Sequence, residues 1–467
     1  MSTFSQQIHI QINMKTTKTL LRGGCVVTMD EQGHVFKCAD VLITGEKITA
    51  IQPDIDADDC VVLDASHQIV MPGFIDTHRH VWESVIRGTA GNYSLMEYLQ
   101  HILGPLAASF RPQDVYTANL LGALEALDAG ITTLFDWSHI MNSPDHADCA
   151  IAGLKESGIR AVFGYGTPGT SVWEWFYESK LTHPTDIERL CQQHFNSSDQ
   201  LVTPAMAIRG PEYSEFAVAV KDITMARRLN LPISMHAGCG TFAGKYQAVQ
   251  QLATAGLLGP DLNIAHGNYL TIEDFTRLAD NGCSVSITPE VEMQMGLGFP
   301  ATGRAMAGGI APSLGVDVVS GVSGDLFTQM RIALQTERAL ANDGLLRVGE
   351  MPQHISLTMA DALTWATVNG AKALNLDRKT GSLTPGKQAD LIMLNTTKMN
   401  LSPMADPIAA IVSQANAGNV DSVFVAGKAV KRNGQLLHPQ LDSIRQQAYK
   451  TAGYLVEKAL MTSMAQV

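Results

Sequence analysis

After Pro72 the chain settles into one repeating rhythm, a short apolar run followed by a helical stretch, and that rhythm restricts the fold more than any other feature. Runs at 131–136, 160–164, 202–209, 232–236, 262–266, 284–288 and 312–317 read as strands, and another ends at His80. Strands that alternate with helices pair in parallel through helical crossovers. About eight of them is what a closed (β/α)8 TIM-like barrel needs. An open doubly wound sheet is the alternative, but no Gly-x-Gly-x-x-Gly follows an early strand.

The residues at the strand ends are unusual for core positions. His78 and His80 stand two apart on one strand, and side chains alternate faces along a strand, so both imidazoles can reach one cation. Taken alone, such a pair is more often two satisfied core histidines than a metal site. His236, His266 and Asp317 close later strands, however, and the C-terminal end of the strands is the face on which barrel enzymes build their sites. Three imidazoles with one carboxylate suit a borderline divalent cation: zinc first, with iron or manganese also accepting the set.

Before the barrel, apolar runs at 23–29, 41–45, 48–51 and 61–63 are separated by Gly, Asp and Pro, which predicts a small antiparallel β module. At 467 residues, 45% hydrophobic and 17% charged, the chain has room for a barrel, this module and a large core. A formal net charge of −12 argues against nucleic acid or an anionic membrane as a partner. No long uninterrupted apolar run and no signal pattern occur, and seven scattered cysteines without a C-x-x-C pair suit a reducing compartment. The expectation is a cytoplasmic enzyme acting on a small molecule, with a homo-oligomer left open.

The segment 72–80, Pro-Gly-Phe-Ile-Asp-Thr-His-Arg-His, resembles the signature of the amidohydrolase superfamily, in particular its cytosine deaminase, chlorohydrolase and adenosylhomocysteine deaminase-like branch. His236, the run Ala265-His266-Gly267, Leu-Gly-Val-Asp at 314–317 and Gly-Ser-Leu-Thr-Pro-Gly-Lys-Gln-Ala-Asp-Leu at 381–391 resemble further elements of that branch, so the likeness covers nearly the whole chain. It implies that both chain ends join into one β-sandwich beside the barrel. The expected division is a polar extension at 1–14, a composite sandwich from 15–70 and 382–435, a barrel at 71–381, and a helix and tail at 436–467.

The resemblance also implies one metal ion held by His78, His80, His236 and Asp317, because the bridging lysine or glutamate of two-metal relatives is absent from the fourth strand end, Ala-Ile-Arg-Gly-Pro at 207–211. Asp317 then doubles as the base for a metal-acidified water, and His266 faces the reacting group. Similar ring deaminases carry a glutamate three residues after the fifth-strand histidine, where this chain has Cys239, a poor proton shuttle. Glu290 and Glu292, facing one way if their segment is extended, are the expected replacements, with a solvated loop as the plain alternative. Trp82, Glu212 and Cys239 join His266 as candidate substrate contacts, and Glu83 shares Trp82's loop. Trp82 could as easily pack on the barrel rim, and Asp325 could simply cap a helix. His139 is a loop residue without a defined use, and Arg79 points away from the metal by strand alternation.

The reading is a mononuclear metal-dependent hydrolase of C–N bonds in a nitrogen heterocycle, cyclic amidine or amide. Deamination and amide or N-alkyl amine hydrolysis both remain open. The rival readings are a catalytically silent binding or scaffold protein on the same fold, or an isomerase or lyase.

Overall fold

The computed structural model describes residues 18–465. Among these, eight strands follow one another in space as they do in sequence: β6 (Phe74–Arg79), β7 (Ile131–Ser138), β8 (Arg160–Tyr165), β9 (Val202–Ile208), β10 (Ile233–Ala237), β11 (Leu262–His266), β12 (Ser284–Ile287) and β13 (Ser313–Leu314). Neighbours along this series pair in parallel, as short apolar strands joined by helical crossovers must. The ring closes between β13 and β6. Thr77 Oγ1 meets Ser313 Oγ at 3.0 Å, the Asp317 amide donates to the His78 carbonyl at 2.8 Å, and the His80 amide donates to the Asp317 carbonyl at 3.0 Å. All eight residues of β7 are buried, the mark of a strand covered on both faces.

A second sheet combines the two chain ends. Its strands are β1 (Lys18–Val27), β2 (Val35–Thr44), β3 (Lys47–Gln52), β4 (Val61–Asp64) and β5 (Gln68–Pro72) from the first segment. The other segment adds β14 (Leu391–Asn395), β15 (Val420–Val425), β16 (Lys428–Arg432) and β17 (Gln435–Leu436). The N- and C-terminal parts join where β14 lies antiparallel to β5, from Leu391 opposite Pro72 to Asn395 opposite Gln68. Leu21, Val41, Val70, Leu391 and Phe424 meet in a core separate from that of the barrel.

The N-terminal module is mixed rather than antiparallel, which corrects the sequence expectation. β4 and β5 both run parallel to β1, along its first and second halves in turn. The two halves are offset because β1 breaks register on either side of Gly24, where a Cβ would stand 2.8 Å from Val70 Cγ2. Alternating hydrophobicity reports that a strand is half-buried and is blind to its direction. The sheet also runs through Pro72 and to Leu436, slightly past the expected limits of 70 and 435, while the 1–14 extension lies outside the described residues.

The two bodies are tied by a buried pair. Arg160 at the start of β8 donates through Nε and Nη2 to Asp390 at 2.6 and 3.2 Å, and Asp390 also accepts the amide of Ala426. The C-terminal helix Leu441–Ala465 lies along α2 (Pro112–Asp128), where Thr451 Oγ1 donates to Asp114 and the Arg111 guanidinium sits 3.7 Å from the Tyr454 ring centre. Among the described residues no helix is long and apolar enough to cross a membrane.

Candidate active site

Five polar side chains converge at the C-terminal end of the barrel. One ligand atom each from His78, His236 and His266, and likewise from His78, His80 and Asp317, lie within 4.8 Å of one another. The strand period accounts for His78 and His80. Asp317 arrives differently, from just past β13, with its backbone in the left-handed region at φ 71°. His266 also has a positive φ, 81°. Such conformations cost a non-glycine residue on the order of 1–3 kcal/mol and cluster at working sites.

The donor set fits a cation. Both ring nitrogens of His78 are buried without a hydrogen-bond partner, and its Nε2 lies 3.5 Å from Asp317 Oδ1. His80 donates Nδ1–H to the Trp137 carbonyl at 2.6 Å, which leaves the Nε2 lone pair 3.2 Å from the same carboxylate oxygen. Burial pushes the His78 imidazole down to about 4, against the pull of Asp317, and holds His236 well below its ordinary value. Burial would raise the Asp317 carboxyl, but His78 and His80 outweigh it and hold the group far below the usual carboxylate range. His78 and His236, held neutral, and an ionised Asp317 are in the protonation states a divalent metal binds, whereas Asp317 raises the His80 imidazole against its burial, so a metal must displace a proton there.

His266 lies beside this cluster with Nε2 3.8 Å from Asp317 Oδ2. Its Nδ1 is 2.9 Å from Thr288 Oγ1 and 3.3 Å from Glu292 Oε1, a pairing that puts a proton on Nδ1, and against its burial Glu292 and Asp317 raise the imidazole above its ordinary value. Glu292 is buried behind His266, and its Oε1 also takes the Thr288 amide at 2.9 Å.

Glu290 lies elsewhere, which corrects the expectation for the 288–295 segment. Residues Pro289–Gln294 form a helix rather than an extended run, started by Pro289 in its first turn. Glu290 therefore faces away from Glu292, accepting from Ser323 Oγ at 2.7 Å and Gln329 Nε2 at 2.9 Å.

Above the cluster is a cavity of about 50 Å3. At roughly 10–15 Å3 each, that is room for a few waters. Its outer wall is α1 (Leu95–His101) and the turn after it, through Leu95, Tyr98, Leu99 and Leu103. Phe176, Tyr213, Val291, Met295, Leu297 and Val318 complete the apolar part. His139 and Cys239 also line it, and Asp317 is the one carboxylate that does. No lysine is among the lining residues, and Arg209 turns outward to Ser179 and Asp222.

Two expected substrate contacts do not reach the cavity. Trp82 is fully buried behind its wall, edge-on to Phe110, because the six residues after His80 coil into a buried 3-10 helix instead of forming an open loop. Glu212 lies behind Cys239 and accepts the amides of Gly238 and Cys239 at 2.6 and 3.3 Å. Burial raises its carboxyl to about 7 against those two hydrogen bonds. Cys239 does face the cavity as a thiol, since burial and then the nearby Glu212 lift it well above the ordinary range.

Sequence reasoning missed Tyr98, Tyr213 and the role of Glu83. Glu83 Oε1 accepts from Tyr98 Oη and its Oε2 from Ser320 Oγ, both at 2.5 Å. Its spacing from His80 was the one available signal. Asp325 caps the helix Leu326–Arg347 through the Thr328 amide, and Arg79 pairs with Asp76 and Glu125 away from the cavity.

The model of the amidohydrolase family matches residues 69–430, which include every barrel strand and, of the terminal sheet, most of β5 and β16 with all of β14 and β15. The chain belongs to that family. As an amidohydrolase it is a metal-dependent hydrolase. It is 29% identical to a 5-methylthioadenosine/S-adenosylhomocysteine deaminase of Pyrococcus abyssi, over 91% of this chain and 96% of the relative. It is 28% identical to a 5'-deoxyadenosine deaminase of Methanobrevibacter smithii, over 89% and 94%. The amidohydrolase fold described above superposes with a TM-score of 0.82 on a zinc-bound adenosine deaminase from Xanthomonas campestris, at 24% identity over 94% of this chain and 99% of the other. An atrazine chlorohydrolase from Arthrobacter aurescens, complexed with zinc, superposes at 0.81, with 22% identity over 93% and 100%.

Proposed function

We propose that this amidohydrolase is a mononuclear enzyme that removes ammonia or a small amine from a compact, uncharged nitrogen heterocycle. One observation carries the reading: a cluster of imidazoles and one carboxylate forms the floor of an apolar cavity that, among the described residues, holds no other carboxylate, lysine or arginine. The adenosyl substrate named for relatives such as the Pyrococcus abyssi enzyme includes a zwitterionic amino-acid tail when it is adenosylhomocysteine. Nothing in this lining would pair with such a tail, and a desolvated unpaired charge is costly.

His78, His80, His236 and Asp317 would hold the ion, zinc being the first choice for this donor set. When bound, the metal supplies a water acidified toward neutrality. Asp317, ionised in the fold, would accept one proton of that water at its carboxylate as the water's oxygen bonded to the ring carbon. The C–N bond then breaks, and the nitrogen leaves with the returned proton. His266, its Nδ1–H committed to Thr288 and Glu292, keeps Nε2 directed at Asp317 and orders the proton's path. The apolar wall excludes bulk water from the exchange.

Purified protein is expected to carry about one equivalent of a transition metal, and His78→Ala or His236→Ala to lose most of it. Ammonia release from a panel of neutral aminopyrimidines and aminotriazines, set beside adenosylhomocysteine and 5'-deoxyadenosine, tests the substrate class. Faster turnover of adenosylhomocysteine than of every neutral ring would reject it. Asp317→Asn is expected to lose at least about 100-fold in kcat, the range that general-base removal typically costs.

A further inference from the structure

We propose that His139 is a substrate-positioning hydrogen-bond donor, held in one tautomer by Trp82, and that with Tyr98 it recognises a heterocycle edge carrying an acceptor beside a donor. This rests on the heterocycle reading above and names the edge that the cavity selects. His139 follows β7 and is outside the proposed ligand set.

The argument begins at the buried end of a chain of hydrogen bonds. Trp82 Nε1 lies 3.0 Å from His139 Nδ1, and an indole N–H can only donate. Nδ1 must then bear the lone pair, and the single ring proton of neutral His139 sits on Nε2. Trp82 cannot turn to release this lock, because its indole is fully buried and packed edge-on to Phe110 at 5.0 Å between ring centres. The imidazole is fixed from its other face as well, stacked on His80 with centres 4.1 Å apart and planes at 22°.

The far end of the chain is equally determined. Burial raises the Glu83 carboxyl to about 7; above that value it only accepts, and it takes the Tyr98 and Ser320 hydroxyl protons on its two oxygens. With its proton spent there, Tyr98 Oη offers lone pairs alone to His139 and to the cavity. The His139 Nε2 to Tyr98 Oη separation is 3.3 Å, long beside the ~2.9–3.0 Å usual for N–H···O, so this proton is only weakly engaged.

Both groups line the cavity. Together they present one N–H donor and one oxygen acceptor side by side, next to the imidazole of a proposed metal ligand. The complementary partner is a cyclic amide or amidine edge, an O or N acceptor adjacent to an N–H. Docking such an edge here would hold the ring over the His80 side of the site with its orientation set.

The test uses the full chain at pH 8, zinc-loaded and labelled with 15N-histidine, with pyrimidin-4-one as the binding probe and 4-aminopyrimidin-2-one, which joins a leaving amine to a cyclic amide edge, as the substrate whose KM is read. The expected spectrum shows His139 with Nδ1 unprotonated and Nε2 protonated, and millimolar probe shifts the Nε2–H signal. Trp82→Phe keeps an aromatic ring, at the cost of some buried volume, and removes the lock, so the tautomer signature becomes mixed and KM rises about tenfold with a smaller change in kcat. His139→Phe is expected to raise KM by about tenfold or more, while His139→Gln, which returns an N–H near the Nε2 position, recovers most of the loss. An Nδ1–H tautomer in the wild type, a His139 signal unmoved by saturating probe, or an unchanged KM in His139→Phe would each overturn the proposal. Zinc content measured on the same samples separates the two readings: protein that binds no metal rejects the metal site, whereas the tautomer is read without turnover.

Discussion

Glu212 keeps a carboxyl out of water with two backbone amides as its hydrogen-bond donors, and burial raises it to about 7 in the fold. An ordinary glutamate in the unfolded chain releases its proton near 4.3, so between those values the folded protein holds a proton that the unfolded chain has lost. The stability tied to that proton is fully present below the unfolded value and is lost as pH rises through about 7. Glu212→Gln keeps an acceptor for the amides and removes the titration. Urea unfolding of metal-free protein at pH 5 and pH 8 should show the wild type losing more stability than the variant, by up to a few kcal/mol. Parallel losses would mean that Glu212 is ionised throughout. In the sequence Glu212 is one acid in a loop, and only the approach of the 238–239 backbone makes it a buried carboxyl. Cys239 was legible as a departure from similar enzymes, and the structure adds that its thiol meets the cavity.

Pro289–Gln294 shows how one helical turn reassigns two side chains. At ~100° per residue, positions two apart diverge by about 200°, whereas on a strand they would share a face. Glu292 is thereby placed behind His266, and Glu290 against Ser323 and Gln329. Glu292→Gln should lower kcat by about 10- to 100-fold, the usual cost of removing the group that orients a site histidine. Glu290→Gln should leave turnover within a few-fold. Steady-state kinetics of the pair decides this, and equal losses would contradict the helical geometry. The helix was hard to foresee because six residues are too few for periodicity, and Pro289 opens a helix as readily as it ends a strand.

One face of the terminal sheet, through Ile69, Met71, Ile392 and Val423, packs into the barrel core, and within that junction Arg160 with Asp390 is a pair buried on both sides. Breaking such a pair by removing one partner strands the other charge, typically at about 3–5 kcal/mol. Arg160→Met should therefore lower the urea midpoint markedly while the metal donors, on the far end of the strands, keep their metal per folded chain. A midpoint unchanged from the wild type would show that apolar packing holds the junction without this pair.

The joining of the two chain ends into one sheet was implied by the family resemblance, whereas the sequence by itself determined the eight-strand alternation and the strand-borne histidines. Each of these is a local pattern, a period of two or a strand's terminus, that survives without knowledge of distant neighbours. The tertiary structure alone decided which acids stand near the site and in what role. Glu83 becomes part of the His139 wall because Ser320, 237 residues away, folds onto it. Trp82 leaves the substrate and becomes a tautomer lock because Phe110 packs against it. Environment of this kind is set by which surfaces meet, and no spacing along the chain encodes that.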